Sequence, residues 1–218
     1  MIVSWVPQVT FFASGNPAKG TISRVKARLA AVLLLLLATP SIGGEIRGTC
    51  ETRFLGSSTL HDFKGTGSCR PFSARLVRDA AGKSVLPSVA VEVPVAGMKT
   101  GNDSRDGKMR EMFQSDRFPA ILATARDIDI DGLRERVRKG REGKTPLEIV
   151  LAIRGVERKL QATVGGLKEE GSRVSFDIEF PVSLNDFGLK PPSVLGIIRV
   201  ADKVVVGGTF ALDVSSSP

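Results

Sequence analysis

The sequence predicts an all-β domain: eight antiparallel strands in an up-and-down barrel, with one short helix between them. Three observations lead there. After Glu45, apolar and polar residues alternate at period two through most of the chain. Clusters of Gly, Asp, Ser and Glu separate the alternating stretches at hairpin spacing. Eight such strands can close on themselves and leave no open edge. A two-sheet sandwich of the same strands is the alternative.

The first 44 residues differ from the rest. They hold Lys19, Arg24, Lys26 and Arg28 but no Asp or Glu, and Leu29–Ala38 is an unbroken apolar run ended by Thr39-Pro40 and small residues. A basic start, a short apolar core and a small-residue exit are the parts of a secretory signal peptide. Ten residues rise about 15 Å as a helix, half of a bilayer core, which argues against a membrane anchor. Residues 25–44 are therefore expected to be the leader, with cleavage near Gly43 or Gly44 and a true start at Val25. The mature domain is expected to span 45–214, followed by a frayed tail at 215–218. Removing the four basic residues of the first 44 from the 31 Lys and Arg leaves 27 against 23 acids, a net charge of +4. That is too mild and too scattered for a nucleic-acid partner.

Within the domain the expected strands are 48–56, 65–78, 86–97, 120–131, 145–154, 157–168, 173–184 and 202–214. In the third, Val89, Val91, Val93 and Val95 share a face opposed by Glu92. In the fifth, Leu147, Ile149, Leu151 and Ile153 oppose Glu148 and Arg154. Val174, Phe176, Ile178, Phe180 and Val182 alternate with Ser175, Asp177 and Glu179, and the last strand repeats the pattern through Val204, Val206, Phe210, Leu212 and Val214. Side chains on a strand point alternately to opposite faces, so each strand has an apolar and a wetter side. Asp79–Lys83, Arg154–Arg158 and Glu169–Ser172 read as turns. The helix is expected over about 103–114, with Asp103, Arg105 and Asp106 as cap and first-turn residues whose acids suit the helix dipole. Arg134–Lys144 reads as a long, basic hairpin tip.

Cys50 and Cys69 lie symmetrically about Ser57–Leu60. A hairpin there places them opposite one another, and export permits a disulfide. The alternative is a pair of buried thiols.

The candidate ligand-binding residues are the inward ones: Phe54, Val91, Val93, Val95, Ile149, Leu151, Phe176, Ile178, Phe180, Val206 and Phe210. Met109, Met112 and Phe113 share a helix face and, with Met98, form a pliable apolar cluster. This helix reads either as a plug or as a gate. Phe187 joins them from the loop after the seventh strand. His61, the sole histidine, reads as a turn-shaping residue or as a polar contact at a pocket mouth. No catalytic or metal-binding residues are expected: one histidine and two cysteines fall short of a zinc set, and neither a calcium loop nor a Gly-x-Ser-x-Gly elbow occurs.

The order of motifs resembles the YceI-like family of lipocalin-like barrels. The resemblance is carried by the strand, polar turn and Met/Phe helix of Val89–Pro119. Added to it are His61 with Phe63-Lys64-Gly65, Leu151–Arg158, Asn185-Asp186-Phe187-Gly188-Leu189 and Ala201–Val206. Leu122-Ala123-Thr124 and the charged 134–144 segment depart from the pattern. The resemblance implies a non-catalytic periplasmic or secreted protein that encloses a polyisoprenoid lipid or quinone; the chain is expected to act as monomer or homodimer. A filled structural or stress-protective barrel, and a barrel-fold hydrolase or isomerase, are the rival readings. The basic Arg134–Lys144 segment suggests transient contact with anionic membranes.

Overall fold

A computed structural model describes residues 44–191, 193–194 and 198–215. Apart from Gly44 and Ser215, the expected leader, Trp5 and the tail lie outside the described residues.

The domain is a closed antiparallel barrel. Its strands are β1 (Gly44–Ser58), β2 (Phe63–Ser68), β3 (Phe72–Arg78), β4 (Ser84–Pro94), β5 (Ala120–Asp129), β6 (Thr145–Ile153), β7 (Val156–Glu170), β8 (Arg173–Ser183), β9 (Ser193–Val194) and β10 (Ile198–Ser215). β1 pairs with β10 along Glu45–Gly56, which closes the ring. On its other edge β1 pairs first with β3, through Gly44–Gly48, and then with β2, through Glu51–Gly56. β2 and β3 are thus one stave of the barrel, broken at Cys69-Arg70-Pro71, and the staves number eight. The sequence reading had one strand over 65–78. Pro71 has no N–H for a ladder, which is why the break falls there.

Alternation behaves as expected. In β1, Ile46, Gly48, Cys50, Phe54 and Gly56 are buried while Arg47, Thr49, Glu51, Arg53 and Leu55 are exposed. Ile153 and Val156 close a two-residue hairpin whose central residues, Arg154 and Gly155, both have positive φ (52° and 76°). This hairpin form matches the twist of its strands. Gly65 has a different reason. It faces Phe54 across the β1–β2 ladder, and a Cβ there would overlap the phenyl ring.

The cysteine expectation holds. Cys50 and Cys69 form a disulfide with Cα atoms 5.3 Å apart. Cys69 N–H also donates to the Cys50 carbonyl at 2.9 Å. The bridge sits inside the barrel wall beside Val91, with Phe72 and Phe210 packed on it. It fastens β1 to the seam between β2 and β3, where Cys50 lies between the residues of β1 that pair with β3 and those that pair with β2.

Two helices interrupt the strands. α1 (Asp103–Phe113) lies between β4 and β5, as expected. α2 (Ile130–Lys139) follows β5 directly. This corrects the basic-hairpin reading of Arg134–Lys144. Asp129 ends β5 and caps α2, its carboxylate accepting from Gly132 N–H at 2.8 Å. Ile130, Leu133 and Val137 recur at helical spacing on the side packed against the core. Lys, Arg and Glu on the other side masked that periodicity.

Candidate functional site

The barrel encloses a cavity of about 530 Å³, lined from end to end by apolar side chains. Strand directions place the two helices at opposite ends. α1 spans the end where β4, β6 and β8 finish, and α2 spans the end where β4, β6 and β8 begin. The exposed polar residues that line the cavity, His61, Asn102 and Ser104, collect at the α1 end, with half-buried Arg105 and Lys108. This end is the mouth. The α2 end is stopped by Ile130, Leu133 and Val137, with Arg134 at the edge. Between the ends, the described residues of the lining include no ionisable side chain. Thr52 and Thr124 are the polar ones there.

Most of the candidate ligand residues meet on this cavity. Phe54, Val91, Val93, Ile149, Leu151, Phe176, Ile178, Phe180, Val206 and Phe210 line it from the wall, and Met98, Met109, Met112 and Phe113 line it from the mouth. Phe176 and Phe210 are cross-strand partners stacked with centroids 5.0 Å apart, and Phe72 meets Phe210 edge-on at 6.2 Å. Two candidates lie elsewhere. Val95 follows Pro94 out of the strand into a tight turn, so strand parity no longer applies, and it is buried at 1% exposure off the cavity. Phe187 is equally buried, in the Asn185–Phe187 turn beside β7. Both pack the structure and neither faces the interior. The sequence reading missed the α2 residues, along with Ile46, Leu86, Ile128 and Val164 on the cavity wall. The 130/133/137 spacing was the available signal for α2.

α1 is held over the mouth by its own polar anchors. Asn102 caps it, accepting from Arg105 N–H at 2.9 Å. Asp106 is buried and turned back onto the preceding segment. Its carboxylate accepts from Thr100 N–H at 2.8 Å and from Thr100 Oγ1 at 2.6 Å. Lys99, beside it, exchanges two backbone hydrogen bonds of 2.8 Å with Thr66 of β2. At the other end of the helix, Arg154 donates to the Met112 carbonyl at 3.4 Å. The helix that carries Met109, Met112 and Phe113 is therefore tied to β2 at its start and to the β6–β7 turn at its finish.

A family model for the YceI-like domain matches residues 50–215. The chain belongs to the YceI-like family. Among solved structures it is similar to BcnA of Burkholderia cenocepacia, at 16% identity and a TM-score of 0.54, covering 74% of this chain and 95% of that one. It also aligns with a polyisoprenoid-binding domain from Saccharophagus degradans implicated in plant cell wall breakdown, at 14% identity and a TM-score of 0.49, covering 77% and 97%. The YceI protein of Campylobacter jejuni aligns at 20% identity and a TM-score of 0.42, covering 65% and 80%. No curated protein sequence matches.

In this YceI-like barrel the Asp106 anchor has a pH signature. Hydrogen bonds from the Thr100 hydroxyl lead, with its N–H and the charges of Lys99 and Arg110 adding to them, and they outweigh burial to hold the carboxyl below the ordinary aspartate range. A depressed folded pKa stabilises the fold above the unfolded value, near pH 4, and that contribution is lost as pH falls through the folded value. Asp106→Ala is expected to lower the melting temperature at pH 7. The gap from wild type should narrow as pH falls below about 4. Melting curves across that range check this. A gap that stays constant with pH would show that the carboxylate charge contributes nothing.

Proposed function

We propose that this protein is a non-catalytic periplasmic or secreted carrier that encloses one slender apolar lipid, a polyisoprenoid or a quinone with an isoprenoid tail. The observation that carries the reading is the cavity itself. It is apolar along its middle, with its polar lining gathered at the α1 end and, among the described residues, Arg134 alone at the edge of the other. An eight-stranded barrel holds a single small ligand, and 530 Å³ lies in the range of specific small-molecule sites. Burial of an apolar chain would drive binding at about 25 cal/mol per Å² removed from water. The polar mouth residues would select the head. The family resemblance implies the same ligand class. An enzyme would need ionisable groups near the middle of the lining, and a filled structural barrel would not need the space.

A thermal-shift titration of delipidated protein tests the ligand class. A quinone with a long isoprenoid tail is expected to raise the melting temperature, by the equivalent of about 2.7 kcal/mol at a hundredfold excess over Kd. The ring without its tail should leave it unchanged. Equal shifts, or none, would remove the lipid-chain reading.

Export is supported by the leader-like residues 25–44 and by the Cys50–Cys69 bridge, since disulfides persist in oxidising compartments. N-terminal sequencing of exported protein is expected to read from Glu45 or within two residues of it. An intact leader would overturn the localisation. Membrane contact through Arg134–Lys144 has weak support. Arg134 and Arg138 pair with Glu169, Lys139 with Glu135 and Lys144 with Glu142, which leaves Arg136 and Arg141 outside these pairs.

A further inference from the structure

We infer that the mouth end of the barrel docks on an anionic bilayer surface, through the loop between β1 and β2 and the adjoining outer faces of β1 and β10. This rests on the carrier reading, and it assigns the membrane contact to the end opposite the Arg134–Lys144 segment.

Among the described residues four large hydrophobic side chains stand exposed: Leu60 at 65%, Leu55 at 53%, Val205 at 41% and Leu122 at 38%. Leu122 lies across the barrel on β5. The other three gather at one place. Leu55 and Val205 are register partners on the outer face of the β1–β10 ladder, close to the mouth. Leu60 stands on the loop that leaves β1 directly above them. An outward strand position accepts a polar residue at no cost to the core, and the neighbouring outward positions of β1 hold Arg53 and Ser57. Three apolar side chains at one rim therefore call for a partner surface.

The loop has a defined shape. Ser58 Oγ accepts from Leu60 N–H at 3.4 Å and His61 N–H at 3.3 Å, and it donates to the His61 carbonyl at 2.8 Å. This turn holds Leu60 outward, while the next residue, His61, lines the cavity. The patch and the cavity mouth thus share one four-residue loop.

Charge decides the kind of partner. Lys64 is Leu55's register partner on β2. Lys203 is exposed on the same outward face as Val205, two residues before it. Arg105 and Lys108 stand on the rim of the mouth, with Arg105 over the Phe63 ring at 5.4 Å. None of these four makes a salt bridge to another described residue. The nearby acids include Asp62, Asp103, Asp186 and Asp202; Asp202 accepts from Ser183 Oγ and Asn185 N–H and also feels the charge of Lys203. Apolar side chains ringed by cations that make no salt bridge suit the interface of an anionic membrane, where each basic residue adds attraction and apolar groups enter between the headgroups. Docked this way, the cavity opens toward the lipid and an apolar cargo passes without crossing water.

Co-sedimentation with vesicles tests the assignment. Wild-type protein is expected to pellet with equal parts phosphatidylglycerol and phosphatidylcholine and to stay in solution with phosphatidylcholine alone. Lys64→Glu combined with Lys203→Glu should weaken partitioning by about fivefold or more per charge, and Leu60→Ser by roughly tenfold. Arg136→Glu with Arg141→Glu, at the far end, should change nothing. Equal loss from the far-end pair, or no loss from the mouth variants, overturns the assignment. So does a wild type that ignores anionic vesicles. If sedimentation velocity shows a dimer that Leu60→Ser dissociates, with no vesicle binding, the patch belongs to a second copy of the chain. Lipid extracted from the same preparations separates the two ideas. Protein that carries lipid but never pellets rejects docking and keeps the carrier; protein that pellets but carries no lipid does the reverse.

Discussion

Ile178→Lys is expected to abolish lipid binding while its neighbour Glu179→Lys leaves binding intact. Ile178 lies on β8 between Val164 of β7 and Gly208 of β10, is 9% exposed and lines the cavity. Glu179 is one residue along and exposed on the outer face. A lysine at 178 must place an ammonium among apolar side chains or lose its proton to remain there. Leaving even a neutral polar group there unpaired costs roughly 2–7 kcal/mol. An apolar tail threaded past the site removes the remaining water and makes that cost larger. The two variants add the same positive side chain one residue apart, so surface charge cannot explain a difference between them. Extraction of lipid from both proteins, with circular dichroism to confirm folding, reads the result. A folded Ile178→Lys protein with a full complement of lipid would refute an interior binding site.

Loss of the disulfide has the second largest expected effect. Cys50 and Cys69 are separated by 19 positions. Closing a loop of that size restricts the unfolded chain by about 3 kcal/mol in the chain-entropy model. For a domain of this size, that corresponds to a fall in melting temperature of roughly 6–12 °C. Cys50→Ala with Cys69→Ala removes the bridge without burying new hydroxyls. The loss should concentrate at the seam between β2 and β3, because the bridge ties Cys69 to β1 between the β1–β3 ladder, which ends at Gly48, and the β1–β2 ladder, which starts at Glu51. Hydrogen exchange in β2 and β3 should therefore rise before it rises in β7 and β8. An unchanged melting temperature would mean that the seam is held by its packing alone.

The barrel was legible because period two holds wherever a strand has one dry face. Val174 through Val182 show it on the inward side, and so does Ile46 through Phe54, with Thr52 as the one polar inward residue. The exceptions follow from local chemistry. Pro94 ends β4, so counting by twos to Val95 carries the pattern past the last paired residue. Pro71 breaks a stave that the alternation alone runs through. α2 was hidden because its outward face is so heavily charged that the segment read as a solvated hairpin tip, although Ile130, Leu133 and Val137 keep helical spacing. Asp106 read as a first-turn acid suited to the helix dipole. Its burial against Thr100 depends on how the 98–102 segment folds back, which no local pattern encodes. The wall was thus readable from side-chain parity, whereas what stops its far end and anchors its lid came from tertiary contacts.

Native mass spectrometry of protein purified under mild conditions from its own host, followed by organic extraction, bears most directly on whether the barrel is a container. The expected result is a complex heavier than the mature chain by one discrete mass, and an extract containing a long apolar lipid in about equal proportion to protein, lost in Ile178→Lys and kept in Glu179→Lys. A wild-type protein that flies at its bare mass, with an extract free of such lipid, would contradict the carrier reading and leave a structural envelope protein as the better account.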